Sequence, residues 1–304
     1  GDKASTAKVR ALGLPAYYRY SPKGLWLCLT SKYYIVSHTQ GCVNFWTSGG
    51  AKIVNLWHGL GWKACLWSNP CHRVYKEKGK WANFCHMLFF PHLYYKPDLL
   101  LSTSPEMTER FFAPMFDIPR EKCVEDIYPR CRYMLLPKDI LLEKIKRYGT
   151  REETLLLTQI SCFNKVVLYA PTYRDAQYDF LKESGIDFDD LNMEMKQRNW
   201  LFLIKCHPST KITDDQSISH SNVAFTAKDI DAYNLMPFTD MLISDYSSIV
   251  FDYLLLRKKV ILFPFDKRQY LSTSRAMRFD YEELAGEIPV ATSYPELKGH
   301  IINP

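Results

Sequence analysis

The chain has 304 residues, 47% hydrophobic and 14% aromatic, and a formal charge of +6. That length suits two domains of roughly 150 residues each, and so modest a positive balance fits an anionic substrate, an anionic membrane surface or nucleic acid equally. Nine cysteines without a Cys-x-x-Cys pair weigh against a disulfide framework and a structural zinc site, and no apolar run nears the roughly 20 residues of a membrane span.

In chain order, the opening Gly1-Asp-Lys-Ala-Ser-Thr has no apolar signal core, and its start on Gly rather than Met points to a trimmed or processed terminus. A reducing cytoplasm is the expected compartment. The runs 32–38, 52–57 and 98–102 read as parallel strands of a first half, followed by helices over 106–112 and 138–148. The runs 166–170, 201–205, 241–244 and 260–263 repeat the device, with helices over 191–198 and 248–256. Strands alternating with helices are the pattern of wound α/β units. The boundary is expected between Gly149 and Asn164, which divides the chain into domains 1–149 and 150–304. Two such domains facing one another would line a central cleft with the carboxyl ends of their strands.

Four motifs fall at those strand ends. Asn55-Leu-Trp-His58-Gly-Leu-Gly-Trp-Lys63 places an imidazole after a strand with a small residue behind it, a placement that suits a general base for an acceptor hydroxyl or, equally, a structural hydrogen bond. Lys63 would support an anionic acceptor or lie on the surface. Tyr169-Ala-Pro-Thr172-Tyr-Arg174 puts a guanidinium past a strand-ending proline, where it could hold two phosphate oxygens or pair with a carboxylate. Ile204-Lys205-Cys-His207-Pro208 supplies a histidine able to donate to a phosphate or protonate a leaving group, or simply to pack. Ile243-Ser-Asp245-Tyr-Ser247-Ser248 ends a strand and opens a helix, as a diphosphate site or as an ordinary cap. Asp252 would accept from a ribose or be paired within the protein.

Together the four motifs resemble the CDP-glycerol glycerophosphotransferases, a family that includes teichoic acid primases and polymerases and related capsule enzymes. The resemblance runs from Tyr17 to Pro295 and takes in Lys23-Gly-Leu, Ser48-Gly-Gly-Ala-Lys-Ile-Val-Asn-Leu-Trp-His-Gly, Tyr128-Pro-Arg130, Phe263-Pro-Phe-Asp266 and Arg278-Phe-Asp-Tyr281. It implies an α/β, glycosyltransferase-B-like fold of two Rossmann-like domains. It also implies transfer of glycerol phosphate or ribitol phosphate from a CDP-alditol to a hydroxyl of a lipid-linked or glycan acceptor, with release of CMP. His58 matches the family's base, and His207, Arg174, Ser247 and Ser248 match positions holding the donor phosphates; Thr172, Lys205, Asp245 and Asp252 stand beside them in the same motifs. The resemblance implies no cofactor, no obligatory metal and no nucleic acid partner, and work at the inner face of the bacterial cell membrane.

Two departures qualify the match. The family's opening strand and helix are not seen, so the first domain is expected to be truncated. The stretch 62–96 is long and interleaves aromatic residues with Lys63, Arg73, Lys76, Lys78 and Lys80, which suits an anionic bilayer interface or a buried helical subdomain with a basic rim. Its Cys65, Cys71, His72, Cys85, His86 and His92 fit no standard metal spacing. A sugar transferase or epimerase acting on a nucleotide sugar is the alternative enzyme, and a binding module for anionic glycans or nucleic acid the alternative outside catalysis.

Overall fold

The computed structural model describes residues 2–38, 40–60, 79–91, 94, 96–174, 180–207, 210, 220–273 and 281–303. Lys63, most of the aromatic and basic stretch and Arg278-Phe-Asp lie outside the described residues. The chain forms two compact units that divide between Tyr128 and Pro129.

The first unit holds a parallel sheet of β1 (Tyr33–Val36), β2 (Lys52–Asn55), β3 (Leu99–Ser102) and β4 (Cys123–Glu125), in that order. Alternation on β1 sends Tyr34 and Val36 into a small core with Cys28, Ala51 and Ile53, while Tyr33 and Ile35 face outward, 55% and 65% exposed. Cys28 comes from the helix Pro22–Thr30, where Ser21 Oγ accepts from the Gly24 amide at 3.1 Å. Only glycine fits at position 24, because a Cβ there would lie 2.0 Å from the Tyr18 carbonyl oxygen. Asp98 ties β2 in place by accepting from the Ile53 amide at 2.8 Å and from Lys52 Nζ at 3.4 Å. The helix expected over 106–112 is one turn of α-helix followed by a π-wound segment, Thr108–Phe112.

The second unit holds a five-stranded parallel sheet of β5 (Lys165–Tyr169), β6 (Trp200–Ile204), β7 (Val223–Phe225), β8 (Met241–Ser244) and β9 (Lys259–Leu262), in the order β7-β6-β5-β8-β9. Counted within the unit this is 3-2-1-4-5, the doubly wound order with its reversal between β5 and β8. Each face has its own core. Val166, Leu168, Leu201 and Leu203 pack with Ile145, Leu157 and Val250 on one side, and Val167, Tyr169, Phe202 and Ile204 with Leu191, Met195, Leu297 and Ile301 on the other. A parallel sheet covered by helices on both faces explains why these strands read as unbroken apolar runs.

The expected boundary moves. The stretch after Gly149 is the helix Arg151–Ile160, opened by a capping box in which Thr150 Oγ1 accepts from the Glu153 amide and Glu153 Oε2 from the Thr150 amide. With Lys138–Tyr148 before it, found at its expected limits, this helix packs into the second unit's core. Glu153 Oε1 also accepts from the Asp231 amide at 2.9 Å and Asn234 Nδ2 at 3.0 Å, which joins two helix starts through one buried carboxylate.

Candidate functional site

In the second unit the motifs converge at the carboxyl edge. Tyr169 is in register with Ile204 on β6 and with Ile243 on β8, and Ile243 with Ile261 on β9. Residues 170–174, 205–207, 244–248 and 263–266 therefore leave the sheet at one level. The first and third of these flank the β5/β8 reversal, the position where doubly wound sheets bind ligands.

A buried ionic network organises that edge. The Arg174 guanidinium donates through Nε to Asp266 Oδ2 at 2.8 Å and through Nη2 to Asp245 Oδ2 at 2.6 Å and Asp266 Oδ1 at 3.1 Å; Nη1 donates to the Thr172 carbonyl. The three charged side chains are 2% exposed or less. Burial by itself would lower the Arg174 pKa, and the Asp245 and Asp266 carboxylates reverse that and hold it above its ordinary value. Asp245 Oδ1 accepts from the Thr172 amide at 2.9 Å, its hydroxyl at 2.5 Å and the Tyr246 amide at 2.6 Å. Tyr246 stacks on Tyr270 at 3.9 Å and donates to Asp266 Oδ1. Burial and the Asp266 charge hold its phenol well above the ordinary tyrosine value.

Of the two readings of Arg174, phosphate ligand or partner of a carboxylate, this geometry displays the second. Through its bonds to Asp245, Asp266 and the Thr172 carbonyl it fastens the β5 loop to the loops after β8 and β9. Asp252 likewise displays the paired one of its two readings. It is buried and its Oδ2 accepts from Arg130 Nε (3.1 Å) and Nη2 (2.8 Å) and from the Tyr233 hydroxyl (2.5 Å), so it is a paired carboxylate within the protein. Neither Asp266 nor Arg130 was assigned a role from the sequence, although Phe263-Pro-Phe-Asp266 and Tyr128-Pro-Arg130 stood among the matched motifs.

The side chains left nearer solvent are Ser247 and Ser248, both half-buried, and exposed His207. The helix Ile249–Leu254 has only six residues, and Ser248 makes no side-chain cap, so its dipole contributes less than a long helix would. Ser247 Oγ accepts from the Ile249 amide at 3.4 Å. The His207 ring lies 5.2 Å from that of Tyr173. Lys205, 9% exposed, donates to the carbonyls of Lys228 (3.1 Å) and Cys206 (3.4 Å), and burial lowers its pKa.

In the first unit His58 follows β2 and is exposed. Its Nδ1 lies 2.9 Å from the Ser37 carbonyl oxygen. A carbonyl only accepts, so Nδ1 carries the proton and Nε2 of the neutral ring holds the lone pair. Trp57 sits in the left-handed region at φ 53° and Gly59 at φ 134°, an uncommon conformation for a bulky residue that persists only where its surroundings enforce it. The enforcement comes from Asn55, whose Oδ1 accepts from the Trp57 amide at 2.8 Å while Nδ2 donates to the His38 carbonyl at 2.7 Å. Buried Trp57 also packs edge-on against Phe116.

Among the described residues no group of three or more His, Cys, Asp or Glu is placed to hold a metal ion, and no helix is long and apolar enough to cross a membrane. The helix Lys80–Phe89 buries none of its residues, with Trp81 81%, Leu88 65% and Phe89 74% exposed.

Comparison with known proteins gives this geometry a family. The family model for CDP-Glycerol:Poly(glycerophosphate) glycerophosphotransferase matches residues 3–303. The teichoic acid ribitol-phosphate polymerase TarK of Staphylococcus aureus is 29% identical over 245 residues, 78% of this chain and 43% of that protein. A teichoic acid poly(glycerol phosphate) polymerase of Staphylococcus epidermidis is 30% identical over 200 residues, 63% of this chain and 26% of that protein. The chain thus spans less than half the length of these two relatives. The solved wall teichoic acid polymerase TagF aligns with a TM-score of 0.70 at 22% identity, covering 95% of this chain and 69% of that one. A UDP-GlcNAc 2-epimerase of Neisseria meningitidis aligns at 0.51 and 14% identity, over 97% and 79%. The fold is the α/β, glycosyltransferase-B-like fold of TagF, and by its match over nearly the whole length the chain belongs to the CDP-glycerol:poly(glycerophosphate) glycerophosphotransferase family.

Proposed function

We propose that the protein transfers glycerol phosphate or ribitol phosphate from a CDP-alditol to a hydroxyl of a lipid-linked or glycan acceptor, releasing CMP, in the synthesis of a teichoic acid or capsule-type surface polymer. The observation that carries this reading is the placement of the Thr172–Arg174 and Asp245–Ser248 loops at the β5/β8 reversal of a doubly wound sheet, in a chain of this family. His58 takes the acceptor proton on Nε2, the freed oxygen attacks the alditol-bearing phosphorus, and the bond from that phosphorus to the bridging oxygen breaks with its electron pair leaving on CMP. The hydroxyls of Ser247 and Ser248 and the His207 imidazole donate to the diphosphate oxygens, and His207 protonates the departing CMP. Arg174, Asp245 and Thr172 hold the loops that present these groups.

The acceptor arrives at a membrane surface in this reading. The unburied apolar residues of Lys80–Phe89, beside a basic stretch of sequence, support peripheral docking on the anionic inner leaflet of the bacterial cell membrane. Lys63 serves the acceptor side. The deciding experiment is CMP release from CDP-glycerol, CDP-ribitol and a panel of nucleotide sugars, with a synthetic lipid-linked acceptor. Acceptor-dependent release from one CDP-alditol is expected; turnover of a nucleotide sugar alone overturns the reading in favour of a sugar transferase or epimerase.

A further inference from the structure

The base proposed above has a neighbour without an assigned role. Val36 and Asn55 are register partners at the ends of β1 and β2, so Ser37 and His38 leave the sheet level with Leu56 and Trp57. The His38 ring stacks on that of His58, with centroids 5.3 Å apart and planes at 7°, and lies 5.6 Å from Trp57, whose indole is itself 4.1 Å from His58. His38 is exposed on the same edge, where packing of a core does not require an imidazole. Two of the contacts on His58, those from Ser37 and His38, act in complementary directions. The Ser37 carbonyl accepts from Nδ1–H at one edge of the ring, and the His38 ring, stacked on the imidazole, restrains its rotation. The main chain needs no help from the His38 side chain, because its link to Asn55 runs through the His38 carbonyl.

We propose that His38 is a positioning residue for the transfer reaction: its ring holds the His58 imidazole in the plane that keeps Nδ1–H on the Ser37 carbonyl and directs the Nε2 lone pair at the acceptor hydroxyl. The inference rests on the reading of His58 as the base. Removing only the ring lets the imidazole rotate, which weakens the bond to Ser37 and populates the other tautomer, whose Nε2 cannot accept a proton.

The test compares His38→Ala with His38→Phe, which restores a flat ring but cannot carry a proton. For His38→Ala, kcat for acceptor-dependent CMP release falls roughly three- to tenfold, the range to which the worth of one aromatic pair converts. The donor KM and the melting temperature stay at wild-type values, and Phe recovers most of the loss. An unchanged kcat in His38→Ala overturns the proposal, and so does a loss that Phe fails to recover. Nitrogen-15 spectra of the His58 ring provide a readout without turnover: Nδ1-protonated in the wild type and the Phe variant, a tautomer mixture in the Ala variant, with a single unchanged tautomer throughout counting against it. If His58→Ala still releases CMP, the base assignment fails on its own evidence, and the spectra still judge whether His38 orients the ring.

Discussion

The carboxyl edges of the two sheets use their polar residues in opposite ways. On the second sheet the groups most conspicuous in sequence, Arg174, Asp245 and Asp252, are buried and bonded to other protein groups. On the first sheet His58 is exposed, one nitrogen tied to a carbonyl, on a strand end held at positive φ. The contrast separates frame from chemistry. A charge enclosed with its partners fixes where loops go, because disturbing it exposes a large desolvation cost, whereas a group that must take a proton from a substrate needs an open side.

The sharpest way to break this comparison is His58→Ala. Acceptor-dependent CMP release should fall about 10²- to 10⁴-fold, the usual worth of a general base, while CDP binding by calorimetry and the melting temperature stay unchanged. Loss of CDP binding in that variant would mean that the histidine belongs to the frame after all.

Next in size is the opposite experiment on the second sheet. Arg174→Ala strands the buried Asp245 and Asp266 carboxylates and should cost about 3–5 kcal/mol in urea unfolding. Arg174→Lys should recover little, since an ammonium cannot span two carboxylates as the guanidinium fork does. Full stability in Arg174→Ala together with a raised donor KM would instead return this residue to the phosphate-binding role read from the sequence. Asp266→Asn sharpens the point, because its cost and that of Arg174→Ala should be strongly non-additive if the two act as one unit.

A smaller effect is expected at Glu153, where the same logic of enclosure operates away from any chemistry. Glu153→Ala leaves the Thr150 and Asp231 amides without their acceptor and should cost about 1–3 kcal/mol of stability, with kcat for CMP release unchanged.

Much of the fold was legible because both sheets are parallel and one is covered on both faces, so seven of the nine strands among the described residues stand out as apolar runs. The two not anticipated, Cys123–Glu125 and Val223–Phe225, have three residues each and lie at sheet edges, too short for alternation to register. The boundary was misplaced although its correction was visible, since Thr150-Arg-Glu-Glu153 ahead of three leucines is a capping box. The motifs located the edge of the second sheet but not the division of labour within it. Arg174 meets Asp245 and Asp266 across 71 and 92 residues, and Arg130 meets Asp252 across 122. Partners so distant in sequence become neighbours only through strand order. The stacking of His38 on His58 arises in the same way, from the register of β1 against β2.

The smallest expected change in stability tests whether an exposed surface can be functional without being structural. On the helix Lys80–Phe89, Trp81, Phe84 and Leu88 are 81%, 50% and 65% exposed, and at i, i+3 and i+7 they share one helical face. Replacing all three by Ser removes apolar surface that is already in water, so the stability should change by no more than about 0.5 kcal/mol per site. Co-sedimentation with vesicles containing phosphatidylglycerol should nevertheless drop several-fold, and transfer to a lipid-linked acceptor should fall while transfer to a short water-soluble acceptor persists. Undiminished vesicle binding would remove this helix from the docking surface. A large loss of stability would mean that its apolar face is buried in the working protein, and the open edge of the first unit would then have to be understood as partly covered.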